Sequence, residues 1–288
     1  MNDTDQSQTI NDLMQGAYDL HIHAAPSPLP RAFDDYELVK QADQAGMAGI
    51  MLKSHYDPTA VRAKLVNAHT SCTAQAYGGL VLNWPAGGLN PYAVANALAR
   101  GAKIIWMPTR DSANILSYGP VGGSIFTCPG ITILNDQDAL KPEVYEILDL
   151  VKKYDASLAT GHLSPKESMI LCEAGRKRGV RMVLTHPEYV LTALSTEQQA
   201  YLASLGVIIE HCWYNLAVKN CSPGAMAANI RAAGAAQCYL STDRGQSGCL
   251  TPVEAMKKFL ATLLGAGLTE QELAVMVKET PEKVLGIR

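Results

Sequence analysis

The chain has 288 residues, of which 18% are charged, and its formal net charge is −3 at pH 7. This charge balance lacks the basic excess expected for binding nucleic acid or an anionic membrane surface. A length of this order suits one large α/β barrel or two smaller domains. A small-molecule partner is therefore favoured by elimination.

The composition also indicates the compartment. No stretch approaches the roughly 18 to 20 consecutive apolar residues that a membrane span requires. The polar start M-N-D-T-D-Q-S-Q-T lacks the basic and apolar regions of a signal peptide. The seven cysteines are scattered without a C-x-x-C pair, which argues against a disulfide framework and against a zinc site built from cysteines. We therefore expect a cytoplasmic protein.

Apolar, β-rich runs alternate with helix-like segments along the chain. The runs are, in order, A-Y-D-L-H-I-H, A-G-I-M-L-K-S-H, A-Q-A-Y-G-G-L-V-L-N, A-K-I-I-W-M-P-T, A-S-L-A-T-G-H, R-M-V-L-T-H, V-I-I-E-H and Q-C-Y-L-S-T-D. The segments between them start after Ser, Asp or Pro and end at Gly, as helices do. Eight strand–helix units predict a (β/α)₈ TIM barrel of the α/β class.

We interpret residues 1–288 as a single barrel domain with three additions. Residues 1–16 form an N-terminal extension, and residues 265–288 form a C-terminal helical segment. Between the fourth and fifth strands the spacing nearly doubles, and residues 110–140 hold two short β-like runs around C-P-G. We predict a hairpin-bearing loop there, which is either a lid over the active site or a decorative or oligomer-contact loop.

Six of the seven histidines lie near the C-terminal ends of predicted strands, the face that carries the active site of a barrel. They are His21, His23, His55, His162, His186 and His211. Asp243, at the end of strand eight, adds a carboxylate to the same rim. Imidazole nitrogens and carboxylate oxygens are ligands of Zn²⁺, Fe²⁺, Mn²⁺ and Co²⁺ in catalytic sites, so a divalent metal is the economical explanation.

The first strand illustrates the expected geometry. Side chains alternate between the two faces of a strand, so Asp19, His21 and His23 should share one face, and Leu20 and Ile22 the other. Two imidazoles would then point at one spot.

Lys53 lies two residues before His55 and should share its face of strand two, pointing an amine into the barrel. Three interpretations remain open. Lys53 is a carbamylated metal bridge, a charged partner for an anionic substrate, or a lysine paired with a carboxylate.

The motifs D-L-H-I-H, A-T-G-H, L-T-H-P and S-T-D, in this order at these strand ends, resemble the amidohydrolase superfamily of metal-dependent barrel hydrolases. The similarity spans nearly the whole chain and includes the C-terminal L-T-E-Q-E-L-A-V-M-V-K-E-T-P-E-K-V-L-G-I. The resemblance implies one or two divalent ions, zinc first, with Mn, Fe or Co as alternatives. It implies His21 and His23 on one metal, His162 and His186 on a second, and Asp243 as ligand and general base.

One departure from this superfamily lies at strand four. Members with two metals usually place a bridging ligand there, whereas this chain reads W-M-P-T-R-D. Asp111 could reach inward, Lys53 and His55 could supply the ligand, or the site could hold a single metal. The extra histidine on strand two is also similar to PHP-type phosphoesterase barrels, although those usually end in D-x-H and here Arg244 follows Asp243.

Residues after the strands are candidates for substrate recognition. Arginine binds carboxylate or phosphate through two parallel hydrogen bonds, and three arginines follow predicted strands: Arg31, Arg110 and Arg244. Three aromatic residues could supply flat apolar walls: Trp84, Tyr118 and Trp213. His211 would either hold or protonate the carbonyl oxygen or serve as a structural hydrogen-bond partner.

The leading hypothesis is a metal-dependent hydrolase that uses a metal-activated water to cleave a cyclic amide, a lactone or another small carboxylate-bearing amide or ester. A decarboxylase of the same superfamily and a PHP-like phosphoesterase are the alternatives. A barrel that binds a metal or ligand without turnover has no support in the sequence. We also expect a homo-oligomer.

Overall fold

A single parallel sheet organises the protein. The computed structural model describes residues 3–119 and 127–287, and within them eight strands pair in chain order, all in parallel. The strands are β1 (Tyr18–Ile22), β2 (Gly49–Leu52), β3 (Gln75–Val81), β4 (Ile104–Trp106), β5 (Ser157–Ala159), β6 (Arg181–Leu184), β7 (Ile208–Cys212) and β8 (Cys238–Ser241). β8 returns beside β1, where the Asp243 N–H donates to the His21 carbonyl at 2.9 Å. The predicted TIM barrel is confirmed.

Within the described residues, α-helices lie before β1 and after every strand, with two of them between β4 and β5 and two between β7 and β8. They are α1 (Asp3–Met14), α2 (Asp35–Gln44), α3 (Ala60–His69), α4 (Pro91–Ala99), α5 (Ala113–Leu116), α6 (Pro142–Lys153), α7 (Pro165–Lys177), α8 (Thr196–Ser204), α9 (Trp213–Ala217), α10 (Pro223–Ala233), α11 (Pro252–Gly265), α12 (Glu270–Ala274) and α13 (Thr280–Leu285). Two 3₁₀ turns (Trp84–Ala86, Ala235–Gln237) and a π-helical turn (Val275–Glu279) complete them.

Local sequence explains where several helices begin. In α7 the Ser164 side chain accepts from the Glu167 N–H while the Glu167 carboxylate accepts from the Ser164 N–H. The same capping box starts α2, α8, α11 and α12. Each cap stabilises its helix by about 1 kcal/mol, because it satisfies amide groups that the first turn leaves unpaired.

Two apolar layers hold the barrel together. The outer layer lies between strands and helices, and the inner layer fills the barrel with side chains such as Leu20, Met51 and Trp106. Val284 and Leu285 of α13 belong to the inner layer. Since Ser157, the first residue of β5, donates to the Val284 carbonyl at 2.7 Å, α13 covers the N-terminal end of the barrel. The C-terminal ends of the strands, on the opposite side, remain open and carry the candidate site.

The alternation predicted for β1 is wrong in part. Leu20 packs in the inner layer and Ile22 in the outer layer, so they do not share a face. The pairing of β1 with β2 shifts register between Asp19 and Ile22, and such an irregularity changes the direction of the following side chains. The Asp19 carboxylate binds Thr242, whereas His21 and His23 both point towards Asp243.

The long connection after β4 contains α5 and two backbone bridges. Ser112 pairs with Ile131, and Leu134 pairs with Leu140. The first β-like run of the predicted hairpin falls on residues 120–126 and lies outside the described residues. Along the described ranges, the structure has no helix with the length and hydropathy of a membrane span.

Candidate metal centre and substrate pocket

Three atoms that could ligate a metal ion converge where β1 and β8 end. The His23 Nε2 lies 3.1 Å from the Asp243 Oδ1, and the His21 Nε2 lies 3.4 Å from the same oxygen. These atoms all lie within 4.8 Å of one another, and both imidazoles are buried. The spacing allows one ion to contact all three.

The second nitrogen of each ring is already engaged. The His23 Nδ1 lies 2.9 Å from the Lys53 carbonyl oxygen, and the His21 Nδ1 lies 3.1 Å from the Glu210 Oε1. Both partners accept, so each Nδ1 carries the proton and donates. In a neutral ring the Nε2 then presents a lone pair.

These three atoms are therefore suited to binding a cation. For His23 and Asp243, two acceptors face each other at 3.1 Å with no protein donor between them. Burial lowers the pKa of His23 to about 3, so a proton on Nε2 is disfavoured. Metal binding requires neutral imidazole and ionised carboxylate. A divalent ion would satisfy all three acceptors.

Lys53 lies next to this centre, as its position on β2 predicted. Its Nζ is 2.9 Å from the His21 Nε2 and 5.2 Å from the centre of the Trp106 ring. Burial lowers the pKa of Lys53, although Asp243 and Glu210 act in the opposite direction. A metal ligated by the His21 Nε2 would replace the hydrogen bond that Lys53 makes to that nitrogen.

Three further histidines continue the ring around the barrel mouth. The ring centres of His23 and His55 are 4.8 Å apart, those of His55 and His162 are 6.2 Å apart, and those of His162 and His186 are 5.0 Å apart. The His55 Nδ1 bonds the Thr109 hydroxyl at 2.9 Å, whereas the buried His186 Nδ1 has no partner among the described residues. Burial lowers the pKa of each of these three histidines, that of His186 to about 4.

The backbone is strained at two of these positions. His186 has φ 28° and Asp243 has φ 50°, a region that residues other than glycine adopt at a cost of about 1–3 kcal/mol. Burial alone would raise the pKa of Asp243, whereas protonated rings at His21 and His23 would lower it well below its usual range. The strained turn therefore directs the Asp243 carboxylate towards His21, His23 and the pocket.

A pocket of about 260 Å³ opens above the centre. Its walls are His23, Leu29, Arg31, His55, Arg110, His162, His186, Tyr189, Tyr214, Asp243 and Gln246. This volume admits a small molecule. Two of the three predicted arginines, Arg31 and Arg110, line the pocket.

The sequence predicted His211 at the active site, but the preceding residue, Glu210, lies there instead. β7 alternates, with Ile208 in the inner layer and Ile209 in the outer layer. His211 therefore points outwards, where its Nδ1 lies 2.8 Å from the Glu188 Oε1. The Glu188 carboxylate raises the pKa of His211 to about 10 against the effect of burial. This contact agrees with the second role considered for His211, that of a structural hydrogen-bond partner.

The other predicted substrate contacts also fall elsewhere. Trp213 is buried in the outer layer, 6.0 Å from Phe259 between ring centres. Tyr118 is 64% exposed, and the Trp84 Nε1 donates to the Pro129 carbonyl under the long loop. The buried Arg244 lies over the Tyr214 ring, outside the pocket wall.

Asp111, considered as a bridging ligand after strand four, contacts the backbone of the loop after β3 instead of lining the pocket. Its Oδ2 accepts from the Trp84 N–H at 2.8 Å. It is absent from the pocket wall.

The structure adds residues that the sequence-based reasoning missed. Glu210 contacts the His21 Nδ1, and Tyr189, Tyr214 and Gln246 line the pocket. Strict alternation along V-I-I-E-H-C would have placed Glu210 inside the barrel. The loop residues carry no comparable periodic signal.

These features define a (β/α)₈-barrel protein with a candidate metal centre at the C-terminal ends of its strands. The model of DUF6282, a family of unknown function, matches residues 16–210. The chain belongs to this family, because the match covers more than half of its length. No curated protein sequence matches the chain.

Solved structures share the fold at low sequence identity. An amidohydrolase from Pseudomonas aeruginosa is 11% identical, with a TM-score of 0.67 over 98% of this chain and 99% of that one. A 2,6-dihydroxybenzoate decarboxylase is 12% identical, with a TM-score of 0.59 over 94% and 99%. An organophosphorus hydrolase from Deinococcus radiodurans is 12% identical, with a TM-score of 0.57 over 95% and 94%. The barrel thus resembles those of enzymes with several different reactions.

Proposed function

We propose that this protein is a metal-dependent hydrolase of the amidohydrolase superfamily. It would use a metal-activated water to cleave an amide or ester bond, such as a cyclic amide or a lactone, in a small carboxylate-bearing substrate. The observation that carries the proposal is the convergence of the His21 Nε2, the His23 Nε2 and the Asp243 Oδ1, three acceptors with a pocket above them.

His21, His23 and Asp243 would hold a first divalent ion, with zinc as first choice. His162 and His186 are candidates for a second ion, together with His55, and the ring centre of His186 lies 5.9 Å from that of His21. When bound, the ion supplies a Lewis acid that polarises a carbonyl group and lowers the pKa of water from 15.7 to about 7. Lys53 serves as a neighbouring positive charge or, once carbamylated, as a ligand.

The protein groups would divide the remaining work. Asp243 lines the pocket, where its carboxylate would accept the proton of the attacking water and return it to the leaving group. Glu210 fixes the His21 ring through its Nδ1. Tyr189 and Tyr214, with ring centres 6.4 Å apart, form an aromatic part of the pocket wall that would contact the substrate.

A substrate panel tests the reaction. Lactones, cyclic amides and linear amides that carry carboxylates are incubated with protein loaded with Zn²⁺, and products are detected by mass. We expect a product heavier by one water, absent in the Asp243→Asn variant. Loss of CO₂ instead would support the decarboxylase alternative, and release of phosphate from added phosphoesters would support the phosphoesterase alternative. No turnover across the panel would contradict the proposal.

A cytoplasmic location and a homo-oligomeric state remain predictions from the sequence. Sedimentation of the purified protein would test the second.

A further inference from the structure

Two arginines at the pocket mouth have no protein partner. Arg31 follows β1 and Arg110 follows β4, both are half-buried, and both line the pocket. Within the described residues, neither guanidinium donates a hydrogen bond to the protein or lies within ion-pair distance of a carboxylate, and the Nε of each is buried without a partner. Buried polar groups are normally paired, so these two call for a ligand.

Both arginines stand on a built scaffold rather than on free loops. The Asn83 Oδ1 accepts from the backbone N–H of Thr109 at 2.8 Å and of Asp111 at 3.3 Å, which fixes the chain on either side of Arg110. Arg31 pairs with Gln246, and the adjacent Ala32 N–H donates to the Gly245 carbonyl at 2.9 Å. The backbone that carries each arginine is therefore held in place before any ligand arrives.

The charges in the pocket do not balance. Among the described residues Asp243 is the only carboxylate in its wall; it contacts His21 and His23, and it also attracts Arg31. Arg31 and Arg110 are close enough to repel each other, and repulsion without an anion between them costs free energy. An anion between the two guanidiniums would relieve this repulsion, and a dianion could pair with both of them at once.

We infer that Arg31 and Arg110 together bind a dianionic end of the substrate, either a pair of carboxylates or a phosphate group, beside the metal centre. Arg244 takes no part, because it lies over Tyr214 outside the pocket wall. This inference deepens the proposed function by naming the substrate class. The binding of the anion, however, does not depend on which bond is cut.

Calorimetric titration of the purified protein with malonate, inorganic phosphate and acetate tests the inference without turnover. We expect malonate or phosphate to bind at least about tenfold more tightly than acetate. Arg31→Gln and Arg110→Gln should each weaken dianion binding by about tenfold or more, and Arg31→Lys by less than Arg31→Gln. Tighter malonate binding would indicate a dicarboxylate substrate, and tighter phosphate binding a phosphate ester.

Arg178→Gln is the matched control, because Arg178 is paired with Asp149 on the outer surface. It removes the same charge and should leave anion binding unchanged. The melting temperatures of the two pocket variants without ligand should equal or exceed that of the wild type, because each removes an unbalanced charge. The inference is overturned if acetate binds as tightly as the dianions, if neither dianion binds, or if the pocket variants bind like the wild type.

These outcomes are separable from those of the substrate panel. Dianion binding without turnover of any amide or ester would retain the subsite and remove the proposed reaction. Turnover of an amide or ester, with anion binding unchanged in both variants, would retain the proposed reaction and remove the subsite.

Discussion

Glu210 orients the imidazole at the centre of the candidate metal site. It is fully buried, and its Oε1 accepts from the His21 Nδ1 at 3.1 Å. A carboxylate in this position fixes the tautomer and direction of a metal-binding histidine and raises its basicity. We predict that Glu210→Gln weakens metal affinity by about 10–100-fold. Competition with a chromophoric chelator measures this change.

Glu188 supplies the matched control for Glu210. It is also buried and bonded to a histidine, but it contacts His211 on the outer side of β7. Glu188→Gln should lower the free energy of unfolding and leave metal affinity unchanged. Equal loss of metal affinity in the two variants would mean that general destabilisation, rather than orientation of His21, is responsible.

The His211–Glu188 pair predicts a pH dependence of stability. The folded protein raises the pKa of His211 from 6.5 to about 10, so the stabilisation is complete below the unfolded pKa and is lost as pH rises through the folded one. The unfolding free energy of the wild type, relative to the Glu188→Gln/His211→Gln double variant, should fall between about pH 6.5 and about pH 10. Urea unfolding across this range measures it. A constant difference would contradict the assigned ion pair.

Strand periodicity explains which site residues the sequence could reveal. Lys53 was correctly placed on the inner face of β2, because side chains alternate in a regular strand. The same rule places Glu210 inside the barrel and His211 outside, because Ile208 faces the inner layer and Ile209 the outer layer. In β1 the rule fails for a physical reason, because the register shift between Asp19 and Ile22 has no counterpart in the hydrophobic pattern.

The loops mark the limit of inference from sequence. Trp213 and Tyr214 are adjacent aromatic residues after β7, yet Trp213 packs against Phe259 and Tyr214 lines the pocket. Nothing periodic distinguishes them, since the choice depends on where α11 lies. Arg31 and Arg110 line the pocket, whereas Arg244 lies over the Tyr214 ring, and no periodic pattern in the sequence distinguishes the three.

The turn after β8 requires glycine. Gly245 has φ 126°, and a Cβ there would collide with the His23 carbonyl oxygen. We predict that Gly245→Ala displaces His23, and thereby weakens metal affinity as well as stability. Gly248→Ala is the control, because Gly248 also has positive φ, 79°, but open space around it. It should cost about 1–2 kcal/mol of stability and leave metal affinity unchanged.

Unchanged metal affinity in the Gly245→Ala variant would show that His23 does not depend on this turn. Denaturant unfolding and chelator competition, applied to both glycine variants, separate the two effects.

The two ends of the barrel differ in composition: the N-terminal end is packed with apolar residues, and the C-terminal end carries the polar candidate site. α13 covers the N-terminal end with Val284 and Leu285, in contact with apolar residues of the inner layer. The C-terminal end instead gathers imidazoles, a carboxylate and two guanidiniums above that layer. Buried groups of this kind do not stabilise the fold by themselves, and their pKa values are shifted strongly by burial. Such a division is typical of barrels whose strand ends carry an active site.

Metal content per chain, measured by elemental analysis of protein purified without chelator, tests the metal centre most directly. The comparison uses the wild type, His23→Gln and His69→Gln, since His69 is an exposed histidine at the end of α3, away from the site. We predict at least about one transition-metal ion per chain in the wild type and in His69→Gln, and a marked loss in a folded His23→Gln variant. A wild-type protein that is free of metal and cannot be loaded with Zn²⁺, Mn²⁺, Fe²⁺ or Co²⁺ would contradict the metal centre and the hydrolase built on it.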